Sequence, residues 1–474
     1  MQVRWGTRFT TERRLGGQVN FKHNAVGVST QSVPDLYGSH IANRDADVYA
    51  KVGIPLPHVI TDLDGNEVQD NVAVIVDFEH FDTDSYFGLN SYHGHENSIT
   101  LNLRTDLHFA SWSSIAAGIQ GGLNFMRGSL SQHTMASVET TLPPQSVSSL
   151  FLDERLNERE IGVYAEWNIT RGAVTVVVGL RGDYNNIADR FIITPRAHVK
   201  WNASRRTTLR TSIGTGYRTP RAIIENIGML ATGYNILIPD GNDLYSREQA
   251  FTTGGSITQT FRLGQDDNAS ISLDFFHTAL NRSLVVTQEP IPYSFLLFNS
   301  SRTNTTDTWQ VDLNWSPVSR LDILATARFT HSRLALPSGN TSSIGEFTVG
   351  DFKHVARPLM SRFKGLLNIS YSTRFKIWAF DVTAQLNGSA RVPVVTDNTV
   401  SSYNSPVYAQ LFAQVTHKIG QTEVYLGCEN ITGYRQPNPI IGADNPYDKT
   451  FNSANVWGPM MGRKFYAGIR WNIY

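Results

Sequence analysis

The chain has 474 residues, and its 41 Lys and Arg are balanced by 41 Asp and Glu, so no general attraction to a polyanion exists and nucleic acid is excluded as an expected partner. Hydrophobic residues make up 41% and aromatics 11%, yet no run approaches the roughly 20 uninterrupted apolar residues of a membrane helix, so any bilayer crossing must be made by strands. The single cysteine, Cys428, shares a face with Val424 and Leu426; it excludes a disulfide framework and reads as a small packing residue.

The opening, Met1 to Arg14, has neither an apolar signal core nor a cleavage site, so the chain is expected to be a carboxy-terminal portion of an exported protein. A long loop is predicted from Gly27 to Asp70. Within it, Asp62-Leu-Asp64-Gly65-Asn66 offers oxygens to calcium but lacks a distal bidentate Glu, and reads as a turn. His93-Gly-His95-Glu96, with His80, Asp82 and Asp84 nearby, is the metal or haem candidate, because imidazoles two residues apart can converge on one ion. The alternative is a polar loop with no fixed second pair of ligands.

From Ile99 onward the pattern changes to strict alternation. Ile99, Leu101, Leu103 and Leu107 oppose Thr100, Asn102, Arg104, Asp106 and His108; Ala197, Val199 and Trp201 oppose Arg196, His198 and Lys200. Trp309 to Trp315 and Trp378 to Asn387 repeat it, and Phe465, Ala467, Ile469, Trp471 and Ile473 close the chain with it. Period-2 alternation is the mark of a strand between unlike environments, and each run is about as long as a tilted strand needs to cross a bilayer. About 18 such segments are present, a number suited to a transmembrane barrel.

Between them, connections alternate in length. Long loops are predicted at Ser129 to Asn157, Pro220 to Arg247, Ala335 to Lys353, Val392 to Ser405 and Arg435 to Met461, and short turns at 170–172, 202–204, 263–266, 316–319, 373–374 and 420–421. Long loops on one rim and tight turns on the other distinguish outer-membrane barrels. The inward set Arg104, Asp106, Arg181, Asp183, Arg196, His198, Lys200, Arg210, Arg218, Asp312 and Arg328 forms a charged lumen, and Trp201, Trp309, Trp315, Trp378 and Trp471 suit interfacial girdles or packing. Loop aromatics such as Tyr234, Tyr245, Tyr293, Tyr403 and Tyr447 suit many ligands. No Gly-x-Ser-x-Gly turn, His-Glu-x-x-His helix or P-loop occurs, so no enzyme is expected; the alternative is a rim catalytic pair, with His331 and His354 as candidate members.

Several of these stretches, in this order, carry a resemblance: Glu160-Ile-Gly-Val-Tyr164-Ala-Glu166, Val178 to Asp183, Thr194-Pro195-Arg196, Ser212 to Pro220, Gly427 to Ile431 and Gly462-Arg463. The chain resembles the barrel of a TonB-dependent outer-membrane receptor. Asn438 to Pro446 with Val456-Trp457-Gly458-Pro459 resembles a branch of that family with a regulatory-type domain before its plug. The resemblance implies an all-β, antiparallel transmembrane barrel over residues 1–474, about 18 of about 22 staves, amino-terminally truncated, with long extracellular loops and short periplasmic turns. The family's plug, energy-coupling box and first strands are not in the chain, and the family's final aromatic falls at Ile473, with Tyr474 one residue extra.

It further implies a Gram-negative outer-membrane location and high-affinity uptake of a scarce ligand, whether siderophore-iron, haem, cobalamin, or a glycan or peptide, with extracellular loops binding it. An inner-membrane TonB energy complex would act through the plug, a surface lipoprotein is a further possible partner, and no cofactor is expected. The lumen charges Arg181, Arg196, Arg210, Arg218, Asp312 and Arg328 are then expected to face a plug, and His93, His95, Glu96, Tyr234 and Tyr245 to contact ligand or metal. Two other readings stay open: a plugless pore or adhesin, and a soluble multi-domain β carbohydrate-binding protein.

Overall fold

The computed structural model describes residues 2–17, 86–136, 145–187, 190–232, 234–239, 243–263, 268–338, 352–396, 399–443 and 451–471. The turn at Asp62 to Asn66, together with His80, Asp82, Asp84, Tyr447, Ile473 and Tyr474, lies outside them. The strands are β1 (Gln2–Gly17), β2 (Tyr86–Ala110), β3 (Ser113–Ala136), β4 (Gln145–Arg171), β5 (Val174–Asn185), β6 (Arg190–Asn202), β7 (Thr207–Arg218), β8 (Asn235–Leu237), β9 (Glu248–Phe261), β10 (Ala269–Asn281) and β11 (Leu284–Thr287). They continue with β12 (Ser294–Asn299), β13 (Asn304–Val318), β14 (Leu321–Pro337), β15 (Phe352–Ala356), β16 (Phe363–Ser372), β17 (Trp378–Asn387), β18 (Arg391–Thr396), β19 (Thr399–Asn404), β20 (Tyr408–Ile419), β21 (Thr422–Glu429) and β22 (Lys464–Trp471).

Seventeen of these form one sheet, an antiparallel meander in which each stave pairs with the next in sequence and short β15 extends the wall beside β14. Alternation sets the register: Trp5 faces Leu103, Leu103 faces Ile119 and Ile119 faces Val163, so the apolar face runs unbroken from strand to strand. Trp5 is 80% and Leu101 58% exposed. An apolar surface this extensive needs a non-aqueous neighbour, and a sheet that pairs its own backbone groups is the one non-helical way to meet hydrocarbon. Tight turns close the other rim, with Gly172 and Gly420 at φ of 56° and 62°, where a side chain would be strained. Among the described residues no strand pairs with the outer edge of β1 or of β22.

The staves differ in height. β2, β3 and β4 have 25, 24 and 27 residues, against 10 each for β16 and β17. A crossing takes about 9–11 residues, so the first group rises well beyond the apolar belt. The predicted loop from Ser129 to Asn157 is therefore largely strand: β3 continues to Ala136 and β4 begins at Gln145. The reason is packing, because Leu130 and Leu156 on the inner face are buried against a segment folded into the lumen.

That segment is the connection between β7 and β9. Ala222, Ile223, Ile224, Met229, Leu230, Tyr234, Ile236 and Leu244 turn inward and meet Tyr92, Met126, Leu130 and Leu156 of the wall, with Phe295 and Leu297 of β12 completing the cluster. β12 also joins β8 in parallel and β11 antiparallel, a small sheet across the mouth, and β18 and β19 form a separate hairpin. The apolar core of this molecule thus lies inside the sheet's curve, made from its own connections.

Candidate ligand-binding lumen

The inner wall carries the charges that alternation assigns to it, some in ion pairs and others hydrogen-bonded to neutral Gln and Thr side chains. Arg181 donates to Asp183 at 2.8 Å, Gln120 at 2.8 Å and Glu160 at 3.1 Å. Arg196 pairs with Glu166 at 2.5 Å, and Arg210 donates to Thr258 at 3.4 Å. Asp312 accepts from Gln310 at 2.7 Å and Thr326 at 2.6 Å, while Arg328 donates to Gln310 at 2.8 Å. Such ladders hold extended side chains flat on the wall, since charge-assisted bonds are shorter and stronger than neutral ones.

Higher up, ion pairs seat the inward segment. Arg221 reaches Glu96 at 2.6 Å and Glu158 at 3.6 Å; Arg218 pairs with Glu225 at 3.0 Å and with Glu248. Arg14 donates to the Ile224 carbonyl at 2.9 Å. Glu154 is buried and accepts from Tyr245 at 2.6 Å and Tyr92 at 3.1 Å. Gly128 makes this possible: a Cβ there would stand 2.5 Å from the Tyr92 hydroxyl and 2.9 Å from a Glu154 oxygen. Burial and the carboxylate beside it push the Tyr245 hydroxyl well above its usual range, and burial pushes Tyr234 up to about 12.

At the inner ends of β7, β9, β10, β13 and β14 lies a cavity of about 660 Å3, lined by Arg218, Glu248, Asn304 and Arg357 together with Leu284 and Val286. A second, about 510 Å3, shares Val286, Pro358 and Leu359 with it and is bounded by Gln288, Phe295 and Asn455. Its roof is stiff. Gln288 and Asn455 exchange reciprocal bonds of 3.0 and 2.9 Å, Asn452 donates to Gln288 at 3.1 Å, and Asn455 donates to the Pro393 carbonyl at 2.8 Å. Beside this cluster Arg391 donates to Glu289 at 2.7 Å. A satisfied buried amide network fixes its members, so three connections are tied into one lid. The cavities mix apolar walls with a few convergent polar groups, the composition of a small-molecule site.

Of the predicted metal set, the described members His93, His95 and Glu96 do not converge. His93 and His95 point outward with Ile99 and Leu101, whereas Glu96 points inward to Arg221 and Asn124. Among the described residues no three His, Cys, Asp or Glu side chains are grouped to hold a metal ion. Tyr234 is buried against Tyr293 and Phe295 at ring distances of 6.0 and 5.8 Å, and Tyr245 is engaged by Glu154, so both hold the segment in place. His331 accepts from Arg333 at 2.7 Å and sits in register with Asp307, while His354 stands opposite Ala335. Sequence reasoning missed Glu154, Arg221 and Glu248. The signal was there at Glu154, since Leu152, Glu154 and Leu156 alternate with Asp153, Arg155 and Asn157.

A model of the family described as TonB dependent receptor-like, beta-barrel, matches residues 3–431. No curated protein sequence matches the chain. Among solved structures, the FrpB iron transporter from Neisseria meningitidis (F3-3 variant) is similar with a TM-score of 0.52 and 12% identity, over 81% of this chain and 58% of its own. The ferric citrate transporter FecA in its unliganded form gives 0.51 and 13%, over 82% and 56%; the copper transporter OprC gives 0.51 and 11%, over 80% and 57%. At such identities the likeness is one of fold, and the chain spans less than two thirds of the length of each of these structures. With the family model covering most of its length, this chain belongs to the TonB-dependent receptor-like β-barrels.

Proposed function

We propose that the chain is the barrel portion of an outer-membrane receptor that takes up a scarce ligand, such as a siderophore-iron or other metal chelate, haem or cobalamin. The observation that supports this most directly is the pair of adjoining cavities inside the sheet, the smaller of them bounded by the tied connections that meet at Gln288 and Asn455. The iron and copper transporters of the same fold favour a chelate among these ligands. Arg357, with no carboxylate partner among the described residues, gives the larger cavity an affinity for an anionic one. Release would be driven by the TonB energy complex acting through a plug on the hydrogen-bonded charges of the inner wall, Arg181, Arg196, Arg210, Arg218, Asp312 and Arg328; a surface lipoprotein is a compatible partner on the loop side.

The test is accumulation of labelled ferric and cupric chelates, haem and cobalamin by cells producing the protein, with and without a protonophore. One ligand should accumulate only in energised cells, and Arg357→Glu should weaken its binding about 10-fold, the effect of losing a hydrogen bond to a charged group. Steady, ligand-independent conductance in planar bilayers would instead establish an open pore.

A further inference from the structure

On the outer face, the three tall strands and their neighbour β1 carry a second kind of charge. Register places Arg13 opposite His95, His95 opposite Arg127, and Arg127 opposite Arg155, one continuous row across β1 to β4. Neighbouring strands lie about 4.8 Å apart, so the row spans roughly 15 Å. All four share parity with the exposed belt residues Phe9, Ile99, Phe125 and Ile161, and Arg13, Arg127 and Arg155 are exposed. None of these three guanidinium groups has an ion-pair or hydrogen-bond partner among the described residues. Among the described residues the one acid on that face nearby is Asp153, in register with Ser129.

Height decides what meets them. Leu107, Ile115 and Trp167 form the row next to the tight-turn rim. The basic row lies about 12 residues further along β2, β3 and β4, about 40 Å along the strand and roughly 30 Å along the barrel axis at the usual tilt, just past an apolar band about 25 Å tall. That is the depth of lipid headgroups. A groove of about 490 Å3, with Leu15, His93 and Ser129 beside the arginines, runs along the row. Arg159 is exposed two rows nearer the belt on β4, and its long stem can lift its head to the same level.

We propose that the outer face of β1 to β4 is a binding site for a phosphorylated lipid of the surrounding leaflet, with Arg13, Arg127 and Arg155 on its phosphate and the belt below them on its acyl chains. Guanidinium matches phosphate bidentately, where a bare ammonium would act as a point charge. Elsewhere on the outer face charges have partners of their own: His277 pairs with Asp307 at 2.6 Å and Arg333 donates to His331 at 2.7 Å. The site is thus local to β1 to β4, and it rests on the membrane reading of the belt.

The experiment titrates the full chain in zwitterionic nanodiscs with phosphorylated lipid A, dephosphorylated lipid A and inorganic phosphate, counting bound lipid by native mass spectrometry. The triple variant Arg13→Gln, Arg127→Gln, Arg155→Gln should bind phosphorylated lipid A about 100-fold more weakly, from about a tenfold or smaller contribution per basic residue. Arg205→Gln with Arg374→Gln, on the turn rim, should bind as the native chain does. Equal binding by the triple variant, equal binding of the dephosphorylated lipid, full competition by inorganic phosphate, or an acidic protein held by the row in place of lipid would each overturn the proposal. Loss of heat-modifiable gel migration by the native chain would overturn the membrane reading with it, whereas equal lipid binding by a heat-modifiable variant overturns the proposal alone.

Discussion

The two faces of β1 to β4 have one backbone and opposite electrostatics. Inside, Glu96 meets Arg221 and Glu154 meets two tyrosine hydroxyls; outside, Arg13, Arg127 and Arg155 meet no protein group among the described residues. A charge removed from water needs a partner or costs several kcal/mol, whereas an exposed one can await a partner from solution or membrane. The difference teaches that the inner face is finished by the chain's own connection from β7 to β9, and the outer face by its surroundings.

The largest expected effect breaks the inner side. Arg221→Ala leaves the partly buried carboxylates of Glu96 and Glu158 with the amides of Asn124 and Asn185 alone, and should lower stability by about 3 kcal/mol, the low end for removal of one partner of a buried pair. The measurement is the urea midpoint of heat-modifiable migration together with proteolysis of the 219–247 segment; an unchanged midpoint and cleavage pattern would mean that apolar packing alone seats it.

An effect of similar size sharpens the outer side. Leu101→Arg puts a charge in the middle of the belt and should cost about 2–4 kcal/mol, while Thr100→Arg, one residue away on the lumen face, should cost much less. Vesicle-insertion equilibria of the two variants compare the faces directly, and equal costs would contradict the assignment of lipid to the odd-numbered face of β2.

The smallest effect is a titration. Tyr234 is pushed from 10.0 up to about 12 by burial. A folded-state value above the unfolded one means that the folded chain holds the proton more tightly, so this contribution is complete below about pH 10 and is lost as pH rises toward about 12. The difference in phenolate absorbance between the native chain and Tyr234→Phe should rise near the upper end of that window; a rise centred at 10 would show the ring to be in water.

Much of this was legible in the residues. Alternation at Ile99 to His108 and at Trp309 to Trp315 gave the strands, the belt and the inward arginines, because side chains of an extended strand point to opposite sides whatever the fold. The orientation of His93 and His95 was also implicit in their parity with Ile99, but reading Ser129 to Asn157 as a loop ended the strands too early for that parity to be followed upward. Glu154 was hidden by the same boundary.

By itself, then, the sequence determined the period-2 pattern and with it which side chains share a face, a local property set by backbone geometry. The tertiary structure alone decided which charges are satisfied and by what. The contacts that settle it join residues far apart in the chain, Arg14 to Ile224, Tyr245 to Glu154 and Asn455 to Gln288. No local pattern encodes them, since they form only when the curved sheet brings its own connections inside.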